Sequence, residues 1–327
     1  MRKLIVAVLV AAFTAAGALG QSQSAPTLRI VSEDGNRLPS ELMYGNTKVK
    51  PLRLRPGTNT PITIDDTDFF VQQQYVDFLS RFPDQGGFAF WQNDINICGT
   101  DRACIDNKRV NVSAAFFLSI EFQETGFLVY RMYKAAYGDA QGQASVGGVL
   151  SPIPVPVVKR EEFMPDTRRI GDGVIVGTTG WPERLNNNKN AFALEFVSRA
   201  RFTSLYPSNM SPTDFVTTLN TNTGGALDTG EQQTLIAELT ANNTTAGRAS
   251  VVRKVAEDST LAAAETNKAF VLMQFFGYLK RDPNAAPDAN HSGYNFWLGK
   301  LNDNNGNFVQ AQMVKAFIDS IEYRARF

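Results

Sequence analysis

The stretch Phe69-Phe70-Val71-Gln72-Gln73-Gln74-Tyr75-Val76-Asp77-Phe78-Leu79-Ser80-Arg81-Phe82-Pro83-Asp84 decides the fold class of this 327-residue chain. Thr67 or Asp66 supplies a cap oxygen ahead of it and Pro83 stops it, so the spacing predicts a helix ending at Arg81. Aromatic and aliphatic residues cover most of its surface rather than one stripe, so burial nearly all round is expected. The pattern returns two hundred residues later. Phe270-Val271, Gln274-Phe275, Leu279, Arg281 and Pro283 stand where Phe70-Val71, Gln74-Tyr75, Leu79, Arg81 and Pro83 stood.

Working outward, each copy is followed by a short helix around one tryptophan, Trp91 or Trp297. A third helix then carries Ala115-Phe116 and Ser119-Ile120-Glu121-Phe122, matched by Ala316-Phe317 and Ser320-Ile321-Glu322-Tyr323. Each unit therefore reads as three helices. Such a unit is too small to bury its aromatics alone, so the units are expected to pack on one another. A degenerate middle copy is read from Phe196-Val197, Phe202, Leu235 to Leu239 and Val251 to Ser259. The fold class expected is all-α, tandem three-helix units with a short extended N-terminal arm. The boundaries read are 66–138 for the first unit, 139–180 for a linker and loop region, 181–265 for the middle unit and 266–327 for the last.

These residues resemble bacterial domain-of-unknown-function family 4214. Its pattern is an aromatic helix, Arg-x-Pro-Asp, a Gly and a Trp, then an Ala/Phe helix ending Ser-x-Glu-aromatic. Arg81-Phe82-Pro83-Asp84, Gly87, Trp91 and Ser119-Ile120-Glu121-Phe122 follow it closely. Arg281-Asp282-Pro283-Asn284, Gly293, Trp297 and Ser320-Ile321-Glu322-Tyr323 follow it with Asn284 in place of Asp. The resemblance implies a secreted or surface-associated protein, similar to the helical phycobilisome linker domain, with no catalytic residues to carry over.

The first twenty residues read as a secretory signal peptide. Arg2 and Lys3 form a positive start, Leu4 to Leu19 is apolar, and Ala18-Leu19-Gly20 offers small residues before Gln21. Residues 21–65 differ from the rest: Thr27 to Val31 alternates like a strand, Asp34-Gly35 marks a turn, and Pro51, Pro56 and Pro61 punctuate the remainder. Export makes a disulfide the simplest reading of the only cysteines, Cys98 and Cys104. Zinc is the rival, but two thiolates without a nearby histidine do not fill four positions.

With 32 Lys+Arg against 32 Asp+Glu, the chain lacks the basic excess a nucleic-acid binder uses to displace counterions. At 43% hydrophobic it has the apolar content of a packed chain. Its single histidine, His291, sits in a polar loop and is read as a surface residue; no Gly-x-Ser-x-Gly elbow accompanies it. Asp288, Asn290 and Ser292 with Gly293 match the first half of a calcium loop, but Gly299 stands where the bidentate Glu belongs, so Ser292 also reads as a helix cap. Arg81 and Arg281 are expected to snorkel or to pair with Asp84 and Asp282 at the helix–loop junction, and the tryptophans to pack in the core. No cofactor is expected. The function expected is a secreted structural or interaction module with an envelope or extracellular protein as partner. The alternatives are a secreted hydrolase or glycan-active enzyme, or a calcium-dependent adhesin.

Overall fold

The computed structural model describes residues 53–327 and the backbone of three upstream strands, β1 (Leu28–Ser32), β2 (Pro39–Tyr44) and β3 (Thr47–Val49). These strands form one antiparallel sheet in sequence order. The signal peptide expected at residues 1–20 lies outside the described residues.

The class is all-α. The helices are α1 (Thr67–Leu79), α2 (Gln85–Asn96), α3 (Arg102–Leu118), α4 (Ile120–Glu124), α5 (Gly126–Tyr137), α6 (Arg160–Gly171), α7 (Trp181–Phe196) and α8 (Ala200–Leu205). Then come α9 (Pro212–Thr223), α10 (Thr229–Ala241), α11 (Thr245–Ala256), α12 (Ser259–Gln274), α13 (Ser292–Asp303), α14 (Met313–Asp319) and α15 (Ile321–Arg324). Short polar residues set many of the starts. Asp84, Asp101, Ser211, Asp228, Thr244 and Asp258 each accept a hydrogen bond from a first-turn backbone N–H.

The helix buried all round is α5, not α1. Every residue from Gly126 to Ala136 is buried, because α4, α6, α9, α11 and α12 surround it. Its polar groups are satisfied inside. Tyr130 Oη donates to Glu265 at 2.6 Å, Tyr133 Oη to Asp166 at 2.9 Å, and Arg131 Nε to the Ala256 carbonyl at 2.5 Å. Lys134 pairs with Asp139 at 2.8 Å. An unpaired polar group at this depth would cost about 1–3 kcal/mol, so these bonds are conditions for the packing.

The two aromatic helices meet through residues two hundred apart. Phe78 and Tyr278 stack edge to face with ring centres 5.1 Å apart, and Tyr278 Oη donates to Gln74 Oε1 at 3.0 Å. Helix α12 runs on into a π-helical turn, Phe275–Leu279, where Gly277 lets the Phe78 ring come close; a Cβ there would lie 2.9 Å from it. Phe117 meets Phe270 at 4.4 Å.

Several boundaries are corrected. The expected linker and loop region at 139–180 holds a β-hairpin, β4 (Asp139–Val146) and β5 (Val149–Pro156), followed by α6. Gly147 and Gly148 make the two-residue turn, both at positive φ, as a hairpin of this twist requires. The unit boundary at 265/266 falls inside the continuous α12. Within the middle unit the helical path breaks between α7 and α8, where Arg199 is extended.

The hairpin is closed along both edges. Pro152, Pro154 and Pro156 alternate on β5 opposite Gln143, Gln141 and Asp139. The Val146–Val149 pair closes the turn with hydrogen bonds, so these positions point their backbone outward, where a missing N–H costs nothing. On β4, the Gln143 carbonyl accepts from His291 N–H at 2.8 Å and the Ser145 N–H donates to Ser292 Oγ at 2.8 Å.

Candidate functional site

The motif residues form two sets of contacts with the same chemistry. Arg81 follows Ser80, whose left-handed φ of 53° turns the chain out of α1, and Arg281 follows Lys280 at φ 58°. Arg81 grips Glu121 with two bonds, Nε–Oε1 at 2.7 Å and Nη2–Oε2 at 2.8 Å. Arg281 grips Glu322 likewise, at 2.6 and 3.1 Å. Each guanidinium also lies over the aromatic six residues before it, Tyr75 at 5.0 Å and Phe275 at 5.4 Å. Burial opposes the charge on Arg81, but the bonds from Glu121 outweigh it and raise its pKa.

Ser119 and Ser320 set the carboxylates in place. Each hydroxyl caps the next helical turn, accepting from the Phe122 or Tyr323 N–H at 3.1 Å, and donates backward to the Phe116 or Phe317 carbonyl at 2.8 Å. A short polar side chain is needed there because the chain bends through extended backbone between two helices. Pro83 and Pro283 follow the arginines and end the helical path. The motif glycine also has a reason in the first set: a Cβ on Gly87 would lie 2.2 Å from Tyr75 Oη.

Of the two expected acid pairs, Arg81 with Asp84 is present and Arg281 with Asp282 is not. Asp84 caps α2 through the Gly87 N–H at 2.8 Å and lies 3.5 Å from Arg81. Asp282 accepts from the Arg160 N–H at 3.0 Å instead of pairing with Arg281. Arg281 takes Asp288, at 2.8 Å. The arginine–glutamate grip was missed because the partners are about forty residues apart, and nothing local in the sequence couples them.

The loop read as half a calcium site spends its oxygens on protein donors. Asp288 Oδ2 binds Arg281, Asn290 Oδ1 accepts from the Ser292 N–H at 2.9 Å, and Ser292 Oγ accepts from Ser145. Ser292 therefore joins α13 to the hairpin, and His291 takes the N-cap position. His291 is buried, at 7% exposure, against Gly142 and Val155, which corrects its reading as a surface residue. Burial, with Lys159 nearby, lowers its pKa and holds it neutral.

Cys98 and Cys104 lie at disulfide distance, Cα atoms 5.5 Å apart, across the short loop between α2 and α3. Trp91 and Trp297 are half-buried rather than mostly buried. Each packs inward on one phenylalanine, Phe116 at 5.9 Å or Phe317 at 5.8 Å, while α2 and α13 keep a face in solvent.

On that outer face, large apolar residues recur at corresponding places. Phe90 and Phe296, each just before its tryptophan, are 62% and 53% exposed. Ile120 and Ile321, each between the capping serine and the gripped glutamate, are 56% and 88% exposed. The hairpin tip adds exposed Val146, Val149 and Leu150. Among the described residues no single helix is long and apolar enough to cross a membrane. The chain matches no protein-family model, no curated protein and no solved structure.

Proposed function

We propose that this chain is an exported interaction module without catalysis, acting at the bacterial envelope or outside the cell through protein contacts. In this reading residues 1–20 are removed, the two gripped units are tandem copies, and the chain is a divergent relative of domain-of-unknown-function family 4214. The observation that carries it is the recurrence of exposed apolar side chains, Phe90 with Phe296 and Ile120 with Ile321, on the outside of units whose inner residues fix shape. Exposed apolar side chains that recur at matching places of two units are candidates for contact surfaces. What supports the kinship is that the motif residues touch one another: Arg81 holds Glu121, Ser119 positions that glutamate, and Gly87 fits under Tyr75.

The test is capture of partners by the mature protein, from Gln21 onward, out of its own cell envelope. The Phe90→Ser/Phe296→Ser double variant should keep its melting temperature and lose a partner that the wild type retains. Equal capture by both proteins removes the argument. A hydrolytic or transfer activity that disappears with one carboxylate replaces this reading with the enzyme.

A further inference from the structure

A cleft of about 230 Å³ lies between α1 and the C-terminal residues, lined by neither Phe90 nor Phe296. At about 30 Å³ per water it displaces a handful of waters, which is room for one ring and its substituent. Its walls include Phe69, Phe82 and Phe327. At its floor Asp77, fully buried, holds Arg326 at 2.8 Å and Lys280 at 2.9 Å, one acid against two cations. Burial by itself would raise the Asp77 pKa, but the Arg326 and Lys280 charges lower it, so the carboxylate stays ionised.

Arg53 also lines the cleft. Its guanidinium lies 4.8 Å from the Phe69 ring centre and 6.0 Å from that of Phe327. Its backbone is pinned by the Ile62 N–H, which donates to its carbonyl at 2.7 Å. Among the described residues Arg53 forms no ion pair. Burial lowers its pKa. A half-buried guanidinium stacked on rings, facing a cleft lined by phenylalanines on one part and by glutamines and further cations on another, is an arrangement that recognises an anion carried on a flat apolar body.

We propose that this cleft binds an anionic group, carboxylate or phosphate, borne on a ring-sized apolar body, with Arg53 pairing the charge and the edge-to-face pair Phe69 and Phe327 forming one wall against the ring. The reading is independent of the proposed interaction module. The probes are benzoate and phenyl phosphate, with acetate, inorganic phosphate and benzyl alcohol as controls, added to the full chain and followed by calorimetry and saturation-transfer NMR. At least one aromatic anion should bind about tenfold or more tightly than any control. The tighter of benzoate and phenyl phosphate identifies the anion. Arg53→Gln should weaken that binding by about tenfold or more without moving the melting temperature, and Phe82→Ser at the rim should weaken it less. Absence of binding by both aromatic anions, equal binding of benzyl alcohol, or unchanged affinity in Arg53→Gln overturns the proposal.

Discussion

Removing Glu121 and removing Glu322 are chemically the same change at the two grips, yet they should differ in cost. The Glu121 side chain is 9% exposed and accepts two charge-assisted bonds from Arg81, itself 20% exposed. Losing one partner of a well-buried pair costs about 3–5 kcal/mol. Arg81 keeps the Phe82 carbonyl at 3.1 Å, the more distant Asp84 and the Tyr75 ring, so it is not left stranded. Glu121→Ala should therefore cost about 2–3 kcal/mol, just below that range. At the other grip, Glu322 is 33% exposed, and Arg281 retains Asp288 at 2.8 Å and the Ala285 carbonyl at 3.0 Å. Glu322→Ala should cost about 1 kcal/mol, the scale of a partly solvated pair. Denaturant unfolding of each variant, followed by circular dichroism, measures the difference. Adding Asp288→Ala to Glu322→Ala should raise the cost toward that of Glu121→Ala, because the spare partner is then gone. Equal costs for the two single variants, or no further loss in the double variant, would show that Asp288 does not substitute for Glu322.

Alkylation of the unreduced protein should leave Cys98 and Cys104 unlabelled, and labelling after reduction should add two groups; two reactive thiols at the outset would exclude the disulfide. Asp77 has a folded pKa below its unfolded value of about 3.9, so its contribution is complete above that value and is lost as pH falls through the folded pKa. Asp77→Asn should cost about 3–5 kcal/mol at neutral pH, and stability measured down to about pH 3 should show the gap to wild type narrowing. Gly142→Ala should cost about 1–3 kcal/mol, since its Cβ would lie 2.7 Å from His291 Nδ1 and 2.8 Å from Val155. A double-mutant cycle with His291→Ala should recover part of that loss, and strict additivity would place the clash elsewhere.

Much of the helical layout was legible because caps and stops are local. Ser211-Pro212, the Gly138 that follows α5 and the Pro83 beyond α1 mark real ends. What escaped depended on partners distant in sequence. Phe127 to Tyr137 reads as amphipathic, with Arg131 and Lys134 on an apparent polar side; those groups are instead satisfied by Ala256 and Asp139, so the whole helix is buried. His291 and Ser292 look like polar loop residues because the strand they serve lies about 150 positions earlier. The hairpin did leave a signal, Gly147-Gly148 between apolar residues, but the alternating prolines beyond it argue against a strand in any position except an outward-facing edge. Trp91 and Trp297 are only half-buried, and Phe90 and Phe296 beside them are exposed, because periodicity places a residue on a face and does not say whether another element covers it.

The alternating prolines have a consequence for how this molecule meets others. A protruding two-stranded ribbon normally offers unpaired amides on which a foreign strand can crystallise, one molecule templating the next into a fibre. Here one rim lacks the donors such growth needs, and the other is already occupied by the backbone of His291 and the hydroxyl of Ser292. The ribbon is thus able to project an oily tip, Val146 to Leu150, into crowded surroundings without recruiting neighbours along its length. What the ribbon leaves open is end-on and made of side chains, a smaller surface than a strand edge ready to be zipped into a sheet.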